Sequence, residues 1–294
     1  MYPAALIYNP FAGRLRRDPW LLEAVLRRLG GGVRALPTTG PNMAGDLARE
    51  AIANGAQRIY AFGGDGTVNE VANGMIGSQV ALGVLPGGTA NVLAVELGIG
   101  TRVRRAADRM AQLQPRRIPL GKYTDGQGHS RHFLLMAGLG LDAQIVHTIN
   151  PVIKKQLGKV AYWLGGFGAV WRRLPEFDVR LDGQPVPRAS FALIAKVRNY
   201  GGDLEIARQV RIDHEEFEVL LFEGEWAYRY LKYFAGVVLN RLPGMSGVTV
   251  ARARRIEFGP GAPAQIDGEA WGHLPATIET VPDALSLLIP DTYR

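Results

Sequence analysis

The segment from Ile59 to Glu70 constrains the fold more than any other part of this sequence. Apolar residues from Ile59 to Phe62 predict a buried strand, a glycine-rich turn follows, and Thr67 opens a predicted helix. The turn glycines are Gly63, Gly64 and Gly66. Glycine tolerates positive φ and lets a ligand approach the backbone, while a helix start offers unpaired N–H groups and the positive end of its dipole. The segment therefore predicts an anion site suited to a polyphosphate.

Asp65 lies inside this turn, where a carboxylate would repel a phosphate unless it met Mg²⁺, a hydroxyl or a cation. No structural need for a carboxylate is evident at this point, so a chemical role is favoured. The alternative is an ordinary glycine turn between a strand and a helix. Neither a Walker A motif nor a complete G-x-G-x-x-G occurs, because Asn69 stands where the last glycine would be. Common P-loop and dinucleotide sites are therefore not indicated.

Composition limits the class of protein. The chain has 294 residues, of which 47% are hydrophobic, so it can bury one large core or two moderate ones. A net charge of +7 favours anionic partners, and the absence of cysteine excludes disulfides and thiolate chemistry. The amino terminus lacks a signal-peptide pattern, and the longest apolar stretch, Val160 to Trp171, is too short to span a bilayer. We expect a cytoplasmic protein, soluble or peripherally bound to membranes.

Strands and helices alternate in residues 1–117. Predicted strands cover 4–8, 33–36, 59–62 and 80–85, and the last of them leads into a second glycine loop, Pro86-Gly-Gly-Thr-Ala-Asn91. This alternation predicts a parallel sheet whose ligands gather at the carboxyl ends of its strands. Residues 1–117 are therefore predicted to form an α/β nucleotide-binding domain with both glycine loops at one crevice.

The pattern changes after residue 117. Short strands separated by turn signals predict a mostly antiparallel, β-rich domain over 118–281. The predicted strands are 118–123, 132–137, 177–181, 191–197, 217–222, 254–258 and 277–281. Helices are predicted around 153–171 and 226–242.

Five motifs together resemble the catalytic family of diacylglycerol kinases and sphingosine kinases. They are Asn9-Pro10 with Gly13, Gly63-Gly-Asp-Gly-Thr-Val-Asn-Glu70, Pro86-Gly-Gly-Thr-Ala-Asn91, Gly138-Leu-Gly-Leu-Asp-Ala143 and Asp267-Gly-Glu269. Their order and spacing cover nearly the whole chain, and its compact length is similar to that of bacterial soluble lipid kinases. The resemblance implies an active cleft between the two domains, with residues 282–294 returning to the first domain.

By this resemblance the protein would transfer the γ-phosphoryl group of ATP to the hydroxyl of a lipid alcohol, with Mg²⁺ on the nucleotide. Asp267 would be the general base and Asp65 the second candidate for that role. The implied nucleotide-binding residues are Asn9, Thr38, Gly63, Gly64, Asp65, Gly66, Thr67, Val68, Asn69, Glu70, Thr89, Asn91 and Glu269. Among them, Glu70 and Glu269 are expected to orient neighbours.

The sequence departs from the family at two places. Many members carry Asn-Asp after the Gly-Thr pair, whereas this chain has Asn91-Val92, so the lipid acceptor stays open between diacylglycerol-like and sphingoid-like alcohols. Bacterial relatives also bind a structural Mg²⁺ at a turn matching Asp213-His-Glu-Glu-Phe217. His214 stands at the metal-binding aspartate's position and suits Mg²⁺ poorly, although Asp213 or Glu216 could compensate. We expect this metal site to be weak or absent.

The segment 153–173 is a candidate membrane contact. Apolar residues recur at helical spacing beside several basic residues, among them Lys154, Lys155 and Lys159, which would suit an anionic bilayer surface. A helix packed on the β-rich domain with solvated lysines explains the same pattern. Asp142 is similarly open, as a residue of the cleft or as a turn cap.

Two rival functions remain. An NAD kinase shares the Gly-Gly-Asp-Gly-Thr loop and a β-rich second half, and a catalytically silent lipid or nucleotide carrier would share the fold. The Asn9-Pro opening and the second glycine loop favour the lipid enzyme, and the presence of both Asp65 and Asp267 disfavours a silent carrier. Nucleic-acid binding is not expected, because the arginines are scattered and no recognition module occurs. A homodimer is compatible with the sequence.

Overall fold

A computed structural model describes residues 2–140, 173–201, 204–226, 229–239 and 241–293. The chain divides into two compact units, one comprising Met1–Leu120 with Pro282–Arg294 and the other Gly121–Val281. The predicted helix over 153–171 and Asp142 lie outside the described residues. None of the described helices is both long and apolar enough to cross a membrane.

The first unit is built on a parallel sheet. Its strands are β1 (Ala4–Tyr8), β2 (Val33–Pro37), β3 (Arg58–Gly63) and β4 (Ala81–Pro86), in the spatial order β2-β1-β3-β4. Strands β3 and β4 are almost entirely buried, as expected for apolar strands covered on both faces.

Helices connect these strands. They are α1 (Gly13–Arg17), α2 (Leu21–Leu29), α3 (Ala44–Ala53), α4 (Asp65–Met75), α5 (Val92–Glu96) and α6 (Val103–Arg109). The sequence predicts an Asp18 N-cap and Pro19 as the first helical residue of α2. The structure starts this helix two residues later, and the Asp18 side chain instead accepts the Trp20 N–H at 3.2 Å. Helices α3 and α4 pack backbone to backbone, because a Cβ on Gly74 would lie 2.2 Å from the Gly45 carbonyl oxygen.

The end of the chain completes the first unit. The last strand of the chain, Ala276–Ile289, pairs in parallel with β4 through Ser286 and Leu287. The Tyr293 hydroxyl donates to the buried Glu96 carboxylate at 2.7 Å. These contacts fix residues 282–293 against the sheet of the first unit.

Antiparallel strands make up most of the second unit, and the first and last of these strands have residues in both units. The strands are β5 (Gln114–Asp125), β6 (Ser130–Phe133), β7 (Met136–Gly140), β8 (Phe177–Leu181), β9 (Gln184–Ala189), β10 (Phe191–Ala195), β11 (Asn199–Tyr200), β12 (Leu204–Glu205), β13 (Phe217–Phe222), β14 (Val248–Ala253), β15 (Arg255–Phe258), β16 (Pro263–Ile266), β17 (Glu269–His273) and β18 (Ala276–Ile289), with α7 at Arg229–Val238. One sheet has the order β14-β13-β10-β7-β16-β17, and the other contains β18-β15-β8-β9.

Side chains of both sheets bury one hydrophobic core, to which Leu139, Ile194 and Val219 contribute from one sheet and Val179 and Ile256 from the other. The predicted fold class, a parallel α/β part followed by an antiparallel β-rich part, is confirmed. Strands β9, β11, β12, β14, β16 and β17 were not predicted, and the single strand predicted over 132–137 is divided between β6 and β7.

Candidate active site

The carboxyl ends of four parallel strands meet at one edge of the first unit. Tyr8 is in register with Pro37 on one side and Phe62 on the other, and Gly63 is in register with Pro86. The chain leaves β1 toward β2 and then returns past it to β3, so the strand order reverses at β1. Ligands of open α/β sheets bind at such a reversal. Both predicted glycine loops begin at this edge.

The two glycine loops contact each other directly. The N–H groups of Gly87 and Gly88 donate to the Gly63 carbonyl at 2.7 and 3.1 Å. A Cβ on Gly88 would lie 2.6 Å from the Gly64 Cα, and one on Gly63 would lie 2.5 Å from the Thr67 Cβ. These glycines therefore have a packing role in addition to any contact with a ligand.

Asn91 closes the second loop. Its side-chain oxygen accepts the Gly88 N–H at 2.8 Å, and its side-chain amide donates to the Gly88 carbonyl at 2.8 Å. The residue is buried and has a φ of 49°, a left-handed conformation that asparagine tolerates better than most side chains. Asn91 thus shapes the loop by its own hydrogen bonds.

The start of α4 is suited to an anion. Gly64 precedes the helix with an extended backbone, and no side chain in the described part of the chain caps this helix end. The first N–H groups of a helix have no partner within the helix, and its dipole is positive there. Together with the close approach that the glycines permit, this geometry fits the phosphates of a nucleotide.

Asp65 has a structural contact that the sequence did not predict. Its Oδ1 accepts the Leu93 N–H at 3.4 Å, so the carboxylate lies at the beginning of α5 and links the two loops. The inference that no structural role calls for a carboxylate here is therefore wrong. Burial raises the pKa of Asp65 above its ordinary value, while the backbone N–H groups of Leu93, Val92 and neighbouring residues oppose the rise. A carboxylate with a raised pKa is a stronger base.

Asn9 and Thr38 follow β1 and β2 at the same edge. The Asn9 side chain accepts the Phe11 N–H at 2.9 Å, and the Thr38 N–H donates to the Tyr8 carbonyl at 2.9 Å. Thr38 is buried, whereas Thr89 in the second glycine loop is exposed. The structure thus brings Asn9, Thr38 and both loops to one edge of the sheet.

The remaining residues of the first motif turn inward. Val68 and Asn69 are buried in α4, and the Asn69 side chain accepts a hydrogen bond from Asn73 at 3.1 Å. Glu70 accepts the Ala44 N–H at 3.0 Å. Its carboxylate therefore binds the first N–H of α3 and positions that helix.

Asp267 in the second unit is bound by three backbone N–H groups. Its Oδ1 accepts from Leu135 and Met136, both at 2.9 Å, and its Oδ2 accepts from Leu134 at 3.0 Å. Asp267 has a φ of 49° in the turn between β16 and β17. The carboxylate thus fixes the buried chain that connects β6 and β7.

Glu269 pairs with Arg131. The guanidinium lies 2.7 Å from the carboxylate and stacks over the Trp271 ring at 4.9 Å from its centroid. Glu269 thus orients Arg131 within the second unit.

The predicted metal residues have protein partners. Asp213 accepts two hydrogen bonds from Arg211, at 2.9 and 2.8 Å, and Glu216 lies 4.0 Å from Arg252. Among the described residues, no group of three or more His, Asp or Glu side chains could hold a metal ion. The residues present at this turn therefore fit a structural Mg²⁺ poorly.

Lys196 is a buried cation that sequence reasoning missed. It follows β10 directly, is 0% exposed, and donates from Nζ to the His214 carbonyl. Burial lowers the pKa of Lys196 to about 7, against the opposing charges of Asp213 and Glu215. A lysine immediately after the apolar run Phe191–Ala195 was the available signal.

Comparisons with known proteins identify the family of the chain. Residues 3–123 match the family described as diacylglycerol kinase catalytic domain, and residues 136–289 match the YegS C-terminal NAD kinase beta sandwich-like domain. A diacylglycerol kinase of Mycobacterium tuberculosis is 27% identical over 96% of this chain and 93% of its own. A probable lipid kinase YegS-like protein of Chromohalobacter salexigens is 30% identical over 83% of this chain and 80% of its own.

Solved structures share the fold. The crystal structure of a diacylglycerol kinase from Bacillus anthracis superimposes with a TM-score of 0.76 and 20% identity, covering 100% of this chain and 98% of that one. The two matched domain families and the Chromohalobacter relative settle the assignment. This chain belongs to the diacylglycerol kinase and YegS-like lipid kinase family.

Proposed function

We propose that this protein transfers the γ-phosphoryl group of ATP to the hydroxyl of a lipid alcohol. The observation that carries the proposal is the joined pair of glycine loops at the start of α4, in a member of a lipid kinase family. Those loops offer N–H donors and a helix dipole where the phosphates of ATP would lie. Bound Mg²⁺ would neutralise the charge of those phosphates during transfer.

The acceptor hydroxyl must lose a proton as the phosphoryl group arrives, and a carboxylate is the expected base. Asp65 is supported by its raised pKa and by its position in the first glycine loop. Asp267 is supported by its motif. However, its carboxylate accepts three short backbone N–H bonds, at 2.9 to 3.0 Å, whereas the Leu93 nitrogen lies 3.4 Å from Asp65, so the Asp267 carboxylate is held more firmly by the backbone. We therefore propose Asp65 as the base and Asp267 as the group that positions residues 134–136.

The acceptor class rests on the relatives. The Mycobacterium relative named diacylglycerol kinase and the Chromohalobacter relative named probable lipid kinase match 96% and 83% of this chain. Val92, at the start of α5, is buried and supplies no carboxylate to the acceptor. A lipid alcohol is therefore proposed as the class, and a diacylglycerol or a sphingoid base as its two leading members.

The direct test is transfer of radiolabelled phosphate from ATP and Mg²⁺ to a panel of acceptors in detergent micelles. The panel contains diacylglycerol, monoacylglycerol, sphingosine, ceramide, phosphatidylglycerol and NAD. We expect a labelled lipid product, reduced by roughly 10²-fold in Asp65→Asn, the usual scale for loss of a general base. Arg27→Gln, an exposed change on α2, is the matched control and should retain full activity.

Two results would replace the proposal. Labelling of NAD alone would assign an NAD kinase-like activity. This alternative is included because the second matched domain is described as NAD kinase beta sandwich-like. Binding of ATP or lipid without turnover on any acceptor would assign a silent carrier.

A further inference from the structure

The segment from Phe11 to Trp20 carries two large apolar side chains that are exposed at its ends. Phe11 is 70% exposed and Trp20 is 73% exposed, the two highest values among the large apolar side chains of the described residues. The helix α1 lies between these aromatics and has no buried residue. Large exposed aromatic side chains beside basic residues are typical of a surface that binds a membrane.

This aromatic–arginine segment, residues 11–20, is also strongly basic. It contains Arg14, Arg16 and Arg17, and no hydrogen bond or ion pair in the described part of the chain engages their guanidinium groups. The one acid of the segment, Asp18, is neutralised by Arg104 at 2.7 Å. The segment therefore presents uncompensated positive charge next to its aromatics.

We propose that the aromatic–arginine segment docks onto an anionic lipid bilayer. The helix α1 has five residues and is about 7.5 Å long, so the two aromatics flank the three arginines within a short stretch of chain. Phenylalanine and tryptophan side chains enter the interfacial region of a bilayer, and arginines attract acidic headgroups. The positive charge and the aromatic side chains of the segment thus both suit an anionic bilayer surface.

The segment is joined to the candidate active site. The Arg14 N–H donates to the Gly87 carbonyl at 3.4 Å, and the Phe11 N–H donates to the Asn9 side chain at 2.9 Å. Docking therefore brings the glycine-loop edge of the first unit to the bilayer, where a lipid alcohol resides. This consequence rests on the proposed function, whereas the docking itself does not.

Sedimentation with vesicles tests the docking. Vesicles of phosphatidylcholine with about one third phosphatidylglycerol are compared with pure phosphatidylcholine, without nucleotide. Phe11→Ser with Trp20→Ser should lower partitioning into the anionic vesicles by roughly tenfold or more, from the apolar area left in water. Arg16→Glu with Arg17→Glu should lower it by at least about 25-fold, at about fivefold for each arginine.

Matched controls test whether the same changes of charge or apolar surface elsewhere on the protein also lower vesicle partitioning. Arg27→Glu with Arg49→Glu makes the same charge change on exposed sites of α2 and α3, and Leu239→Ser removes another exposed apolar side chain. These controls should lower partitioning far less than the segment variants do. Brominated lipids should quench part of the tryptophan emission of the parent, and Trp20→Phe should remove that quenched part.

Equal partitioning of the parent into anionic and neutral vesicles would overturn the docking proposal, as would unchanged partitioning of the Phe11 and Trp20 variant. A higher KM for ATP in the Arg16 and Arg17 variant, with unchanged partitioning, would assign the arginines to nucleotide and overturn it too. Vesicle binding without phosphoryl transfer would instead overturn the proposed function alone.

Discussion

Replacement of Asp267 tests whether its carboxylate holds the fold, performs the chemistry or does both. In Asp267→Ala, the N–H groups of Leu134, Leu135 and Met136 lose their acceptor, and all of these residues are buried. A buried donor left without a partner costs about 1–3 kcal/mol, so the three together should cost roughly 3–9 kcal/mol. That is a large share of a typical stability of about 5–15 kcal/mol.

Asp267→Asn is the informative variant. Its side-chain oxygen can keep the two bonds from Leu135 and Met136, while its amide nitrogen faces the Leu134 N–H and cannot accept it. The expected cost is therefore about 1–3 kcal/mol, for one unsatisfied donor. Asparagine also tolerates the left-handed backbone of this turn.

Denaturant unfolding and turnover are measured on the same preparations, with ATP binding measured separately. We expect both variants to bind ATP nearly normally, with Asp267→Ala far less stable than Asp267→Asn. If Asp267 only positions the chain, Asp267→Asn keeps near-normal turnover while folded, and the base is Asp65. A loss of about 10²-fold or more in folded Asp267→Asn would make Asp267 the base. Equal stability of the parent and Asp267→Ala would refute the reasoning from the three hydrogen bonds.

Three further predictions follow from the structure. Burial raises the pKa of Asp65 above 3.8, so the folded protein holds that proton more tightly than the unfolded chain. The parent should therefore lose stability relative to Asp65→Asn as the pH rises from about 3 to 7. Unfolding midpoints that show the parent gaining stability relative to the variant over this range would contradict the prediction. Gly88→Ala should weaken ATP binding in a calorimetric titration, because its Cβ would lie 2.6 Å from the Gly64 Cα, whereas Gly31→Ala, before β2, has open space and should bind normally. The thermal unfolding midpoint without nucleotide should be the same with Mg²⁺ as with a chelator, because the Lys196 side chain already binds the His214 carbonyl in the turn before β13. A midpoint several degrees higher with Mg²⁺ would disprove this.

The amino-acid sequence by itself determined the α/β unit and its loops. Apolar runs bounded by glycine, such as Ile59 to Gly63, carry strong local signals, and the alternation with helices leaves a parallel sheet as the main solution. Parallel strands end at one edge, so the strand pattern of the sequence is enough to predict that Asn9 and the glycine loops lie together. Strands such as Pro263–Ile266 were missed, because four residues beside a turn carry too little periodicity.

Only the tertiary structure decided what the polar side chains bind. Asp65 meets Leu93 from 28 positions away, Asp267 meets residues more than 130 positions away, and Lys196 meets a carbonyl 18 positions away. A local pattern cannot encode such contacts, because they arise when separate strands and loops pack. Burial is also set by packing, so the raised pKa of Asp65 and the lowered pKa of Lys196 are properties of the fold and not of the residue types.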